Sequence, residues 1–302
     1  MGYPIELRHL QYFKVLAEEL HFRKAAERLF IAQPGLTRQI KQMEESYKVR
    51  LFERNNRSVK LTPAGMYLKS EVELLFNRLA NISYQLEKIG EGKITSLKLG
   101  FIGSAVQTVL PTLLKELKAK QPLIDIALNE LSNEIQLDYL RQEKLDFGFL
   151  RLITPIEGLQ TIPIATEHFV LAVPKSLKLK IETQKEPTFD LRSVKEENFI
   201  LFSKDYSNNY YDLVMSIFRD HDFVPNVTLR TVNALSIFNL VEQGLGIAIV
   251  PASLPLGYAI EVDFISLAYL PQRTTLSLVW NAENRNPGVP LLLEILKKIV
   301  PY

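Results

Sequence analysis

The sequence predicts an all-α winged helix-turn-helix domain at the N-terminus, a long linker helix, and an α/β C-terminal region with two lobes. Three observations predict it. Apolar residues recur every three or four positions over residues 7–43, every 3.5 over 68–89, and every second position in several segments after 96. Charge divides along the same line, since residues 1–65 hold 12 Lys/Arg against 7 Asp/Glu and the remainder 24 against 27. A short basic head on a mildly acidic body expects a polyanion at the head alone. Two short apolar-anchored strands, the third observation, follow the third helix directly.

Composition bounds the rest. The chain has 302 residues, 47% hydrophobic and 23% charged, a globular mix sufficient for two or three domains. It contains no cysteine, which excludes disulfide scaffolds, thiolate metal sites, iron–sulfur clusters and Cys nucleophiles. No apolar run reaches the ~18 residues of a membrane helix. Met1-Gly-Tyr-Pro-Ile-Glu has no basic segment leading into an apolar one, so no secretory signal is expected and the expected location is the cytoplasm.

In the head, Leu7, Leu10, Phe13, Leu16, Ala17 and Leu20 form the stripe of a first helix, and Phe22, Ala25, Ala26 and Leu29 the inner face of a second. The Ala25-Ala26 pair lets two helices approach closely. Pro34 suits the first turn of a third helix, which buries Leu36, Ile40 and Met43 and leaves Gln33, Thr37, Arg38 and Lys41 on the opposite side. That geometry lays a helix in the major groove. Gln suits adenine edges, Arg guanine or phosphate, and Thr a phosphate or thymine methyl. Leu51 to Leu61 reads as a hairpin wing turning at Asn55-Asn56, with Arg54, Arg57 and Lys60 projecting toward a minor groove or its phosphates. Three helices alone would equally describe a small domain with a solvated basic face; the wing argues for DNA.

These residues resemble the LysR-type transcriptional regulators. The resemblance runs through Leu7-Arg-His-Leu-Gln-Tyr-Phe, Ala25-Ala-Glu-Arg-Leu29, Ile31-Ala-Gln-Pro-Gly-Leu-Thr-Arg-Gln-Ile40, Met43-Glu-Glu, Leu51-Phe-Glu-Arg54 and Leu61-Thr-Pro-Ala-Gly65. It implies DNA contacts by Gln33, Pro34, Thr37 and Arg38, with Arg57 on the wing. The chain departs from the family at Ala32, often Ser there, which removes a helix cap worth about 1 kcal/mol. Gly35 stands where a small residue of better helix propensity is usual.

Thr62-Pro63 is a helix start. Leu68, Val72, Leu75, Leu79, Ile82, Leu86 and Ile89 then follow at alternating steps of four and three. A 3.6 period on the domain's own surface would serve such a helix too, but strict 3.5 spacing favours pairing with a second copy. The helix would be ~40 Å long, ending at the Gly90-Glu-Gly-Lys93 hinge.

After residue 96 strands and helices alternate, which predicts an α/β region with mainly parallel sheets. Leu97–Phe101, Ile124–Leu128, Phe147–Leu150, Phe169–Val173, Ile200–Phe202 and Val227–Val232 read as strands. Val106, Leu110, Leu113, Leu114 and Leu117 share the buried face of one helix, and Lys175–Glu197 reads as a surface excursion. The resemblance implies a periplasmic-binding-protein-like pair of lobes around a ligand cleft. The expected domains are 1–61, the linker and hinge 62–93, and 94–302, with lobe I from 96–166 and 269–302 and lobe II from 167–268.

Ligands in such sheets sit beyond the strands' C-terminal ends. Ser104, Ser132-Asn133 and Ser203, with Asn208 close behind, stand at such ends. Hydroxyls and N–H groups at helix starts favour a carboxylate, although each residue is also an ordinary cap. Arg151 reads as a second anion contact or a surface charge. The resemblance places effector contacts near Ser104, Ser132 and Ser203.

No catalytic, metal or cofactor site is expected. Gly244-Leu-Gly-Ile precedes a strand instead of following one, the reverse of a dinucleotide fingerprint, and reads as a helix stop. His9, His21, His168 and His221 make no i, i+4 metal pair. The expected function is therefore transcription control by a small-molecule effector, an organic acid with aromatic acids included. The expected partners are double-stranded promoter DNA, that effector, further copies of the chain as a homodimer or homotetramer, and RNA polymerase. The alternative is a solute-binding or transport component dimerised by its N-terminal helices.

Overall fold

A computed structural model describes residues 5–54, 58–93, 95–152, 156–177 and 189–300. The chain divides into two compact units, Met1–Tyr84 and Gln85–Tyr302.

The N-terminal unit contains α1 (Leu7–Glu19), α2 (Phe22–Arg28), α3 (Gln33–Tyr47), β1 (Phe52–Arg54), β2 (Val59–Leu61) and the first part of α4 (Pro63–Gly90). Phe13, Leu16, Ala17, Ala25, Ala26, Leu36, Ile40, Met43 and Phe52 form its core. Leu7 and Leu20, expected in the α1 stripe, are instead exposed, and His9 and Val15 are buried. Leu20 is the left-handed residue that ends α1, with φ 48°, so its side chain leaves the helical face. α3 starts at Ala32 without a side-chain cap. α4 has one: Thr62 Oγ1 accepts from Gly65 N at 3.0 Å and lies 2.7 Å from Arg50 O, tying the helix to the base of the wing. β1 and β2 pair antiparallel, Phe52 opposite Leu61.

The C-terminal unit continues through β3 (Ser96–Phe101), α5 (Gly103–Gln107), α6 (Leu110–Lys120), β4 (Asp125–Glu130), α7 (Asn133–Arg141), β5 (Phe147–Leu152) and β6 (Gln160–Glu167). Next come β7 (Phe169–Pro174), β8 (Asn198–Phe202), α8 (Asn208–Asp220), β9 (Asn226–Thr231), α9 (Ala234–Glu242), β10 (Ala248–Pro251) and β11 (Val262–Ser266). β12 (Thr274–Trp280) and α10 (Gly288–Ile299) complete it. One sheet has the order β4-β3-β5-β12-β6, and its core is sealed by α6 and α10. The second lobe combines β10-β7-β11 with the β8-β9 pair, bridged through Phe199 and Ile247.

Several expectations are corrected here. The sheets are mixed, because β12 runs antiparallel between β5 and β6, and β7 lies antiparallel to both its neighbours. The single helix expected over 104–117 is two. Thr108 (φ −115°, ψ −85°) breaks it, Pro111 sits in the first turn of α6, and Val106 is left exposed. The 175–197 excursion lies partly outside the described residues, but Phe189, Leu191 and Val194 dock into the second lobe's core. β7 is buried along its whole length, as its unbroken apolar run implies, and so is β5 despite Arg151. Gly100 and Gly148 let α7 lie close on the sheet, since a Cβ on either would stand 2.9 Å from Gln136 Oε1.

Candidate functional sites: an exposed helix face and an interlobe cleft

On α3 the apolar and polar sides separate cleanly. Leu36, Ile40 and Met43 are buried, while Gln33, Pro34, Arg38 and Lys41 are exposed. Thr37 is half-buried, its hydroxyl donating to Gln33 O at 3.1 Å. Lys41 makes only a loose 3.7 Å pair with Glu45. Surface pairs of this kind contribute little, so the cation remains available.

The wing differs from expectation. Arg54 is exposed but tethered; its guanidinium lies 2.8 Å from Glu44 Oε2 and 4.9 Å from the centre of the Phe22 ring. Glu44 Oε1 accepts from Leu51 N and Phe52 N at 2.9 and 3.1 Å. The acid on α3 therefore anchors β1, and Arg54 is drawn to that anchor. Glu44 went unrecognised in sequence, although an acid facing a basic strand was the signal. Arg57 lies outside the described residues.

The heptad seam also divides. Val72 is 2% exposed and Leu68 packs beside it in the N-terminal core, so these two positions serve their own domain. Leu79 is half-buried. Leu75, Ile82, Leu86 and Ile89 are exposed, the last three by 51%, 63% and 58%. An apolar row of this spacing in water favours helix pairing.

In the C-terminal unit a cleft of about 560 Å³, counted to its open mouth, lies between the two lobes. Ser104, Glu130, Asn133 and Arg151 line it from the first lobe, and Phe202, Tyr206, Ser207, Tyr210 and Asn233 from the second. Asn133 Nδ2 donates to Arg151 O at 2.8 Å and, across the lobes, to Ser207 Oγ at 2.9 Å. Glu134 Oε1 accepts from Asn208 N at 3.0 Å, and Gln107 Nε2 donates to the Tyr258 hydroxyl at 2.9 Å. Ser104 Oγ, Asn133 Oδ1 and the Tyr210 hydroxyl are buried without a hydrogen-bond partner.

Arg151 is no surface charge. It is 6% exposed and lies 2.6 Å from Glu167 Oε1, with Thr274 Oγ1 at 3.3 Å. Glu167 also accepts from Ser253 N and Oγ at 2.6 and 2.9 Å. The chain crosses between lobes just after Glu167, so this buried cluster sits where they join. Burial, reinforced by Glu130 and Glu134, pushes the Tyr206 phenol up to about 12. Burial raises Tyr210 too, Glu167 adding to the rise and Arg151 opposing it.

Three expected effector residues stand elsewhere. Ser132 caps α7, accepting from Ile135 N at 3.3 Å, and is not among the lining residues. Ser203 precedes a 3-10 turn and Asn208 is exposed, neither lining the cleft. The cap of α8 is Ser207, which accepts from Tyr210 N at 3.4 Å. Ser207-Asn-Asn-Tyr, a cap before an apolar-periodic run, was the legible signal for it. Among the described residues no group of three or more His, Asp or Glu side chains is placed to hold a metal ion. Nor is any helix among them long and apolar enough to cross a membrane.

Residues 7–66 match the family model for bacterial regulatory helix-turn-helix proteins of the lysR family, and residues 90–300 match the LysR substrate binding domain. The HTH-type transcriptional regulator CatR of Pseudomonas putida is 33% identical over 87% of this chain and 88% of its own. The HTH-type transcriptional regulator BenM of Acinetobacter baylyi is 31% identical over 88% and 85%. The crystal structure of full-length BenM covers 98% of this chain and 96% of its own, with a TM-score of 0.58 at 28% identity. Full-length CbnR in complex with its target DNA has the same fold, with a TM-score of 0.67 at 24% identity over 98% and 100%.

Proposed function

The chain belongs to the LysR family of transcriptional regulators, a helix-turn-helix DNA-binding protein with a substrate-binding domain, and from that premise we propose how it works. The polar side of α3 reads promoter DNA through Gln33, Pro34, Thr37, Arg38 and Lys41, with Arg57 on the wing. The observation that carries this reading is the division of one helix into a sealed apolar side and an exposed side bearing donors suited to bases and phosphates. Arg54, tied to Glu44 and the Phe22 ring but still exposed, adds a cation at the base of the wing.

The exposed seam of α4 pairs two copies, so that two reading helices meet a site of approximate dyad symmetry. In the substrate-binding domain the interlobe cleft takes a small organic acid near Ser104, Asn133 and Arg151. A cleft with an aromatic wall and a few convergent polar groups suits a small ligand. The ligand changes DNA binding to the extent that it favours one lobe arrangement over another. The relatives found are transcriptional regulators, which removes support from the solute-carrier alternative.

A mobility-shift titration with the duplex upstream of the chain's own gene tests the proposal. Binding in preference to random duplex is expected, with a protected region spanning two half-sites. Equal binding to both duplexes contradicts it.

A further inference from the structure

The charges around the cleft constrain its occupant more closely than the reading above. Among the lining residues, Arg151 supplies the cation and Glu130 the anion. Arg151 already faces Glu167 at 2.6 Å, so what it offers a ligand is its remaining guanidinium N–H donors more than net charge. The Glu130 side chain, exposed at the lining, makes no ion pair or hydrogen bond among the described residues. Glu130 therefore stands as an exposed, uncompensated carboxylate for a ligand cation, while the starts of α7, α8 and α9 at Asn133, Ser207 and Asn233 still favour a carboxylate.

The hydrogen-bonding inventory points the same way. Both donor contacts recorded for Asn133 Nδ2 go to protein acceptors, and Oδ1 is what Asn133 still offers. Ser104 Oγ and the Tyr210 hydroxyl are likewise unpaired, and all three side chains are more than nine-tenths buried. Buried polar groups are normally satisfied, so these expect a partner from the ligand. An ammonium offers three donors. Ser104 can meanwhile donate its hydroxyl proton to a carboxylate.

The acidic and hydroxyl groups adjoin. Glu130 Oε1 lies 3.5 Å from the point a Cβ on Gly103 would occupy, and Gly103 is followed directly by Ser104. An ammonium and a carboxylate on one carbon would meet both. Beyond them stand Phe202 and Tyr206, stacked at 6.3 Å with 21° between planes, and Tyr258. Such a wall accepts an aromatic side chain, and its ring faces also favour a nearby cation.

We infer that the cleft takes an aromatic amino acid or a close analogue, its ammonium on Glu130 and Asn133 Oδ1 and its carboxylate on Ser104 and Arg151. This rests on the cleft being the effector site and narrows the expected acid to a zwitterion, with Glu130 as the residue that selects it.

Calorimetric titration of the full chain with four probes tests the inference: phenylalanine, 3-phenylpropanoate, 2-phenylethylamine and benzylsuccinate. Phenylalanine is expected to bind about tenfold tighter than each of the others, a difference of ~1.4 kcal/mol. Glu130→Gln should lose about tenfold for phenylalanine and nothing for 3-phenylpropanoate, with the melting temperature of the free protein unchanged. Ser104→Ala should weaken phenylalanine and 3-phenylpropanoate and leave 2-phenylethylamine alone. Binding of 3-phenylpropanoate or benzylsuccinate as tight as that of phenylalanine would overturn the zwitterion while leaving the cleft as an acid site. So would an unchanged phenylalanine affinity in Glu130→Gln. Silence from all four probes also overturns it, and a wider screen of acids that finds no ligand would overturn the effector reading beneath it.

Discussion

The two functional regions solve opposite problems with their polar groups. On α3, Gln33, Arg38 and Lys41 stand in solvent, and the protein's own acids barely engage them. In the cleft, Arg151, Asn133 and Ser207 are buried and bonded to one another, with half-buried Glu167 behind Arg151, leaving a few orphaned atoms. A surface meant for a long polyanion keeps its cations hydrated and replaceable, because affinity there comes largely from released counterions. A site for a small molecule fixes its groups beforehand, so that little ordering remains to be done on binding. Substitutions of exposed groups should therefore alter recognition without altering stability, and substitutions of the buried, mutually bonded cleft groups should alter both.

The largest effect is expected from the seam. Ile82→Lys combined with Leu86→Lys should convert the assembly to monomers by sedimentation and weaken binding to a full operator by about 10²–10⁴-fold, the advantage of two linked heads. Persistence of the dimer would show that α4 is not what joins the copies. Next in size is Arg151→Met, which strands the Glu167 carboxylate at 12% exposure. Breaking a buried pair from one side costs about 3–5 kcal/mol, and urea denaturation of the C-terminal unit should read that loss. A stability within error of the wild type would mean that the pair is solvated, erasing the contrast with α3.

A smaller effect should appear at high pH. Below pH 10, Tyr206 is neutral whether the chain is folded or not. From there to about 12 the unfolded chain releases a proton that the folded one retains, so stability falls. The loss approaches about 2–3 kcal/mol by pH 12. Tyr210 acts in the same direction. Tyr206→Phe should flatten part of this slope in pH-dependent denaturation, and an unaltered slope would place Tyr206 in solvent.

How much of this was legible in the sequence follows the same division. The α3 face was readable because one helix carries it: spacing within Gln33–Met43 decides which side is buried, and the third helix, the wing strands and the Thr62 cap all form as their local patterns imply. The cleft joins residues far apart in the chain. Asn133 meets Ser207, Arg151 meets Glu167 and Ser253, and Gln107 meets Tyr258. Local pattern gave Ser104, Asn133 and Arg151 because each sits at a strand end or on a strand. It also picked Ser203 and Asn208, flanking the actual cap at Ser207, and took the cap Ser132 for a ligand contact. Mixed sheets escaped for the same reason: nothing near Thr274–Trp280 says that it will insert between β5 and β6. Arg54 was legible in part: its charge and exposure follow from the sequence, while its partner Glu44, ten residues earlier, does not.

The most direct test is the affinity of Arg38→Ala for cognate and random duplexes, measured by fluorescence anisotropy at matched salt. The account predicts a loss of discrimination of about 1–3 kcal/mol, with the melting temperature unchanged because Arg38 is exposed. Equal affinities of wild type and variant for both duplexes would contradict the assignment of α3 as the helix that reads bases.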